Sequence, residues 1–358
     1  MGRRASDARR WALTRHGRRF YMFVAVAAVV VLVGVGVGSY ALAHGFGPTT
    51  GTWTNLAVTG SLSSVFDLTI QNAAYDPAAG KVIWGRYQPV LGAAGPISAY
   101  DMRSNTLTGL QAPAATPTSL LAAMAYDEIS GKVIRFGVVT TKVTDTWAYD
   151  SASNSWTELR PSASPPPLAA PSMTYDPVLC KIVLLGRVGL ECHTWTYDSG
   201  ANTWTELHTN GAPSPRWGAM MVYDETSGRM ILFGGVSFSA SGDPLADTWA
   251  FDSKSSTWVD LQPAGSPPAR AQGGMAYDIA SGRVILFSGW GMHKYFGDTW
   301  AYDSRSNTWT KLHTAGSPSG RAGAYMFYDR GTGRLILVGG MNGGEKPRML
   351  DEAWAFSL

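Results

Sequence analysis

Residues 223–235 read YDETSGRMILFGG. Two short apolar runs, GAMMVYD (218–224) and RMILFGG (229–235), meet at this point, and the Asp-x-x-x-Gly between them is turn chemistry. Asp accepts backbone N–H bonds within a turn, and Gly takes a backbone angle that costs other residues energy. Downstream, TWAFD (248–252) and TWVDL (257–261) are two more runs of β-branched and aromatic residues, joined by the polar SKSS. One stretch of about 50 residues therefore spells four short antiparallel strands.

The same spelling recurs along the chain. The Tyr-Asp turn motif begins at Tyr75, Tyr126, Tyr175, Tyr223, Tyr277 and Tyr328. A second motif carries Trp pairs at 147/156, 195/204, 249/258 and 300/309. Four strands cannot bury both faces of their own sheet, whereas radial stacking of six such sheets buries them against neighbours. The pattern resembles the kelch repeat family, with a Gly-Gly doublet closing one strand (Gly234-Gly235, Gly339-Gly340), then a Tyr, then a Trp. The resemblance covers residues 51–358 and implies an all-β, six-bladed kelch-type β-propeller. Blade 1 departs most, with Val82-Ile83-Trp84-Gly85 lacking the doublet and Leu107 in place of the second Trp. Blade 3 has Cys180 where the turn Gly belongs, so that turn is expected to be strained. GTWTNL at 51–56 matches a fourth strand such as NTWTEL at 202–207, while DEAWAFSL at 351–358 matches a third strand. Residues 51–56 should therefore supply the outer strand of the last blade and close the ring.

Charge is distributed unevenly. Residues 1–19 hold seven Arg and one Asp, and the rest of the chain carries a net charge of −3. From Phe20 to Ala43 there is no charge at all. Those 24 residues reach ~36 Å as a helix at ~1.5 Å per residue, enough to cross ~30 Å of hydrocarbon. Positive charge before the run keeps the N-terminus cytoplasmic. The expected organisation is a basic tail (1–19), a transmembrane signal anchor (20–43), a linker (44–50) and an extracellular propeller (51–358). Cleavage after Ala43, at the Ala41-Leu42-Ala43 pattern, is the alternative and would release a secreted domain. Gly34 and Gly38 form a small-xxx-small pair through which the anchor could form a homodimer. A basic tail on a mildly acidic body is not a nucleic-acid-binding pattern. Arg supplies 21 of the 29 Lys plus Arg residues, a GC-rich coding bias that points to a bacterial source.

Strand order puts the loops joining strands 2–3 and 4–1 on one face, where they vary in length and composition, and the short repetitive turns on the other. Recognition concentrates on variable loops held by a rigid scaffold, and kelch proteins generally bind partners on that face. Arg216, Arg270 and Arg321 recur seven residues before the motif Tyr in blades 4, 5 and 6; Leu68, Ser119 and Leu168 stand there in blades 1 to 3. Two roles remain open for these arginines: a one-sided cluster for a carboxylate or acidic peptide, or a repeat residue bracing its own loop. Trp217, Trp290, Tyr295 and Phe296 lie outside the repeat positions, where they would either stack on a sugar or protein partner or cap the blade below. His293 in the blade 5 loop is a candidate ligand-binding residue and a lone candidate base, the alternative being a solvated loop histidine; His193 reads as structural, and His208 and His313 occupy equivalent outer positions on non-adjacent blades. No ligand spacing for zinc or calcium occurs, so no metal or cofactor is expected. Cys180 and Cys192 start neighbouring strands at opposite ends, ~17–20 Å apart, too far for a disulfide. The leading expectation is a non-catalytic module that binds an extracellular protein or glycan of acidic character. Kelch-like copper-radical sugar oxidases and sialic-acid isomerases supply an enzymatic alternative, and a scaffold dimerised through its anchor supplies a third.

Overall fold

The computed structural model describes residues 49–60, 72–84, 98–110, 117, 121–239, 241–292, 294–343 and 348–358. The basic tail and apolar run expected over residues 1–43 lie outside the described residues, as do Leu68, Ser119 and His293. Among the described residues no helix is long and apolar enough to cross a membrane.

Thr49–Leu358 forms one unit of six four-stranded antiparallel blades arranged as a β-propeller. In blade 4 the strands are Met220–Asp224, Arg229–Phe233, Thr248–Asp252 and Thr257–Asp260, paired in that order from the channel outward. The other blades repeat this order. Turn chemistry works as the repeat implies. Asp224 Oδ1 accepts the Thr226 N–H at 3.0 Å, and the following Gly228 sits at φ +67°. Cys180 adopts φ +53° in the equivalent position, a left-handed conformation that crowds its Cβ. The second turn closes on Asn105, Asn154, Asn202 and Asn307, all at positive φ. Each of these accepts the hydroxyl of the strand-3 tyrosine five residues earlier, as from Tyr149 to Asn154 at 2.8 Å. In blade 4 both partners change together, to Phe251 and Ser256.

The blades are registered by tryptophan. Four fourth-strand indole N–H groups donate to a strand-3 threonine of the preceding blade: Trp204 to Thr146, Trp258 to Thr194, Trp309 to Thr248 and Trp53 to Thr299, all at 3.0–3.1 Å, whereas that of Trp156 in blade 2 is buried with no partner among the described residues. The core consists of interfaces between neighbouring blades, for example Ile134, Phe136, Leu184 and Trp204 between blades 2 and 3. Leu107, standing for a tryptophan in blade 1, is buried against Tyr100, Ile336 and Ala353.

Ring closure follows the expectation. Thr50–Asn55 is antiparallel to Ala353–Ser357 as the outer strand of blade 6, with Trp53 opposite Phe356. Trp53 lies 4.7 Å from Phe287 and 4.8 Å from Phe356, between ring centroids, and so joins blades 5 and 6. The chain leaving a fourth strand extends the next outer edge: His313–Ala315 adds in parallel outside Thr50–Thr52, Thr59–Gly60 outside Thr106–Leu107, and Asn210 and Ala264 bridge Thr257 and Thr308 in the same sense.

Candidate functional site

On the variable face the 4–1 loops are laced together around the axis. Gly235 N–H donates to Arg270 O of the next blade at 2.9 Å, and Gly289 N–H to Arg321 O at 2.9 Å. Both glycines, at φ +100° and +109°, lie where a Cβ would meet neighbouring backbone at about 3 Å. This explains the Gly-Gly doublet and the Ser288-Gly289 that stands for it in blade 5.

The three arginines sit inside this lacing. Arg216 is 5% exposed, and Arg270 and Arg321 are 0% exposed. Arg270 donates from Nε to Pro268 O, from Nη1 to Ser288 O at 3.0 Å, and from both Nη atoms to Asp298, the shorter contact at 2.6 Å. Arg216 makes the same set with Ser214, Gly234 O and Asp247, and Arg321 with Ser319, Gly339 O and Glu352. Each acceptor belongs to the arginine's own blade, at the loop before strand 1 or between strands 2 and 3. That is the geometry of a brace. The guanidinium groups are buried and committed internally, which leaves no exposed cationic cluster for an acidic ligand. The carboxylates respond accordingly. Burial alone would raise Asp247, Asp298 and Glu352, but hydrogen bonds from the arginine and the following tryptophan, with the arginine charge, hold each below the ordinary range.

Blades 2 and 3 show the brace altered. In blade 3 Leu168 replaces the arginine and His193 the acid. His193 Nδ1 instead meets Glu206 at 2.6 Å, and the Trp195 indole N–H is left buried without a partner. In blade 2 Asp145 is retained and Arg135 of strand 2, 3.6 Å away, serves it.

The aromatic candidates divide. Phe296 is buried beneath the Arg270 guanidinium, 3.9 Å from ring centroid to Cζ. Tyr295 pairs with Trp290 in a small hairpin and lies directly against Gly343 of blade 6, where a Cβ would clash with its ring. These two cap their own structure. Trp217 and Trp290, from blades 4 and 5, are half-buried and stack on each other with centroids 6.1 Å apart at 25°. The repeat tryptophans at 147, 249, 300 and 354 donate to an acid two residues earlier. Among the described residues no internal acceptor takes either indole N–H of the stacked pair.

Sequence reasoning missed exposed apolar loop tips on the same face. Val143, Leu190, Phe238 and Met292 project from the 2–3 loops of blades 2, 3, 4 and 5, with Leu190 86% exposed. Arg187 reaches across from blade 3 to cover the Phe238 ring at 4.0 Å. The signal available in sequence was a bulky apolar residue inside each otherwise polar loop.

Cys180 and Cys192 are free thiols. Burial pushes the Cys192 thiol up to about 11, with Arg216 acting in the opposite direction. Among the described residues no three His, Cys, Asp or Glu side chains gather as a metal-ligand set.

Residues 186–358, from the end of strand 2 in blade 3 onward, match the family described as the KLHDC2/KLHL20/DRC7 Kelch-repeats domain. The fold is a six-bladed β-propeller, of kelch type over those residues. Comparison with the curated proteins finds no match for this chain. Within this chain the recurring features, the glycine doublet and the tryptophan ladder, are scaffold.

Proposed function

We propose that this kelch propeller is a binding module which takes a protein or glycan partner on its variable-loop face, centred on blades 4 and 5. The observation that carries the reading is the Trp217–Trp290 stack, two aromatic side chains outside the repeat with no acceptor for their indole N–H groups among the described residues. Aromatic surface with a free polar edge is what sugar rings and protein anchors use. Val143, Leu190, Phe238 and Met292 add apolar contacts on the same face, and Lys142, Arg187 and Lys294 beside them favour a partner of acidic character. The three buried arginines act beneath it, holding the loops in place.

The Phe20–Ala43 run would tether the module to a membrane with the propeller outside. A double Trp217→Ala, Trp290→Ala chain tests the site. It should lose capture of surface glycans and envelope proteins that the native chain retains, while melting at an unchanged temperature. Equal capture by both chains would refute the reading. Deletion of residues 20–43 should release the chain from sedimented membranes; retention in the pellet would refute the tether.

A further inference from the structure

The innermost strands of all six blades enclose a cavity of about 670 Å³ that runs inward from the tight-turn face. That size is within the range of small-molecule sites. Its wall carries the motif phenol of every blade, Tyr75, Tyr126, Tyr175, Tyr223, Tyr277 and Tyr328, and a second phenol of blade 6, Tyr325, whose hydroxyl accepts the Tyr75 N–H. Five blades add a thioether two residues earlier, at Met124, Met173, Met221, Met275 and Met326. At the mouth stand Glu128, Glu225 and Arg330, so carboxylates outnumber cations among the described lining residues.

Carboxylates dominate the charge around this cavity. Immediately after each tyrosine comes the turn aspartate, Asp76, Asp127, Asp176, Asp224, Asp278 and Asp329, none more than 6% exposed. Asp176 is wholly buried, and its Oδ2 has no hydrogen-bond partner. Burial raises all six motif phenols above their ordinary range, and carboxylates of the turns raise each of them further. Glu128 acts on Tyr126 and Tyr175, and Glu225 on Tyr223, Tyr277 and Tyr328. The phenols stay neutral; Arg103, Arg305 and Arg330 oppose the carboxylates at Tyr75, Tyr277 and Tyr328, whereas at Tyr126, Tyr175 and Tyr223, on the side of Glu128, no cation does. A cleft lined by one sign of charge with low-dielectric walls concentrates the opposite ion. Aromatic and thioether walls add attraction for a cation that carries apolar groups.

Across the mouth, Arg330 of blade 6 reaches Glu225 of blade 4 at 3.2 Å, passing blade 5. Both side chains are largely exposed, at 69% and 44%, so this strap is easily parted. Glu128 has no ion-pair partner among the described residues.

We propose that the channel, entered from the tight-turn face, binds a compact ammonium compound with apolar substituents, received by Glu128 and walled by the phenols and thioethers. This site is separate from the variable face and stands or falls independently of it. Calorimetric titration of the full chain, in non-ionic detergent at low ionic strength, should give saturable binding of tetramethylammonium chloride. Potassium chloride and neutral tert-butanol should bind far more weakly. Glu128→Gln, at an exposed position, should weaken binding about fivefold, the effect of one charge ~4 Å away in a water-like medium. Arg330→Gln should tighten it, because the one cation of the wall is removed and Glu225 is freed. Absence of saturation, potassium or tert-butanol binding as tightly, or affinity unmoved in both variants would overturn the assignment.

Discussion

Replacing Arg270 by Ala tests whether the buried arginines brace the propeller or serve a ligand. The native guanidinium is 0% exposed, forms a bidentate pair with Asp298 and donates to Pro268 O and Ser288 O. Removal strands a half-buried carboxylate and two loop carbonyls, a change that costs roughly 3–5 kcal/mol when one partner of a buried pair is lost. For a domain of this size about 2 °C of melting temperature goes with each kcal/mol, so the expected drop is about 6–10 °C by tryptophan fluorescence. Asp298 is depressed in the folded state. Its contribution is therefore complete above the ordinary aspartate range and disappears as pH falls through the folded value. The gap between native and variant should be widest near neutrality and narrow below about pH 4. Asp298→Asn, added to Arg270→Ala, should recover part of the loss by removing the unpaired charge. A variant with native melting temperature that had lost only affinity for an acidic ligand would refute the bracing argument.

Two further outcomes follow from the closure and from the thiols. A chain lacking residues 49–56 loses the outer strand of blade 6 and the Trp53 contacts with Phe287, Phe356 and Thr299, and exposes an unpaired edge that templates aggregation; it should melt lower and scatter light, and an unchanged melting temperature would refute closure by this strand. At pH 8 iodoacetamide should modify the exposed Cys180 of the native protein much faster than the partly buried Cys192, whose thiol burial holds at about 11, and both at similar rates in urea; equal rates without denaturant would refute this difference.

The six blades were legible because each repeat states its strands and its turns in the same residues. Tyr223-Asp224 and Gly228 mark both the end of one strand and the only angle at which the next can begin. Closure was legible for the same reason, since GTWTNL carries the fourth-strand signature without a blade of its own in front of it. The role of the arginines was not settled by recurrence, because a brace and a binding residue recur alike. What separates them is the acid two residues before the strand-3 Trp: it accompanies the arginine in blades 4, 5 and 6, is replaced by His193 in blade 3 where Leu168 stands for the arginine, and in blade 2 remains as Asp145 with Arg135 of strand 2 as its partner. That pairing lies some 30 residues away and is visible only once both loops share a face. The Trp217–Trp290 stack joins residues on different blades, and the channel cavity belongs to six strands at once. Neither has a local sequence signature.

The seam between Thr50–Asn55 and Ala353–Ser357 also bears on how the molecule reaches its folded state. Thr52 and Ser357 are about 300 residues apart in sequence, yet they lie side by side in one sheet. Joining ends that distant costs about 5 kcal/mol of loop entropy if the intervening chain is still loose, and far less once blades 1 to 5 have assembled and hold the partners near each other. The sixth sheet is therefore the natural last step, with its first strand kept waiting while the others form. Until then both the strand and the Ala353–Ser357 edge are exposed together, so the rate of this one pairing sets the time during which two unfinished copies can exchange strands.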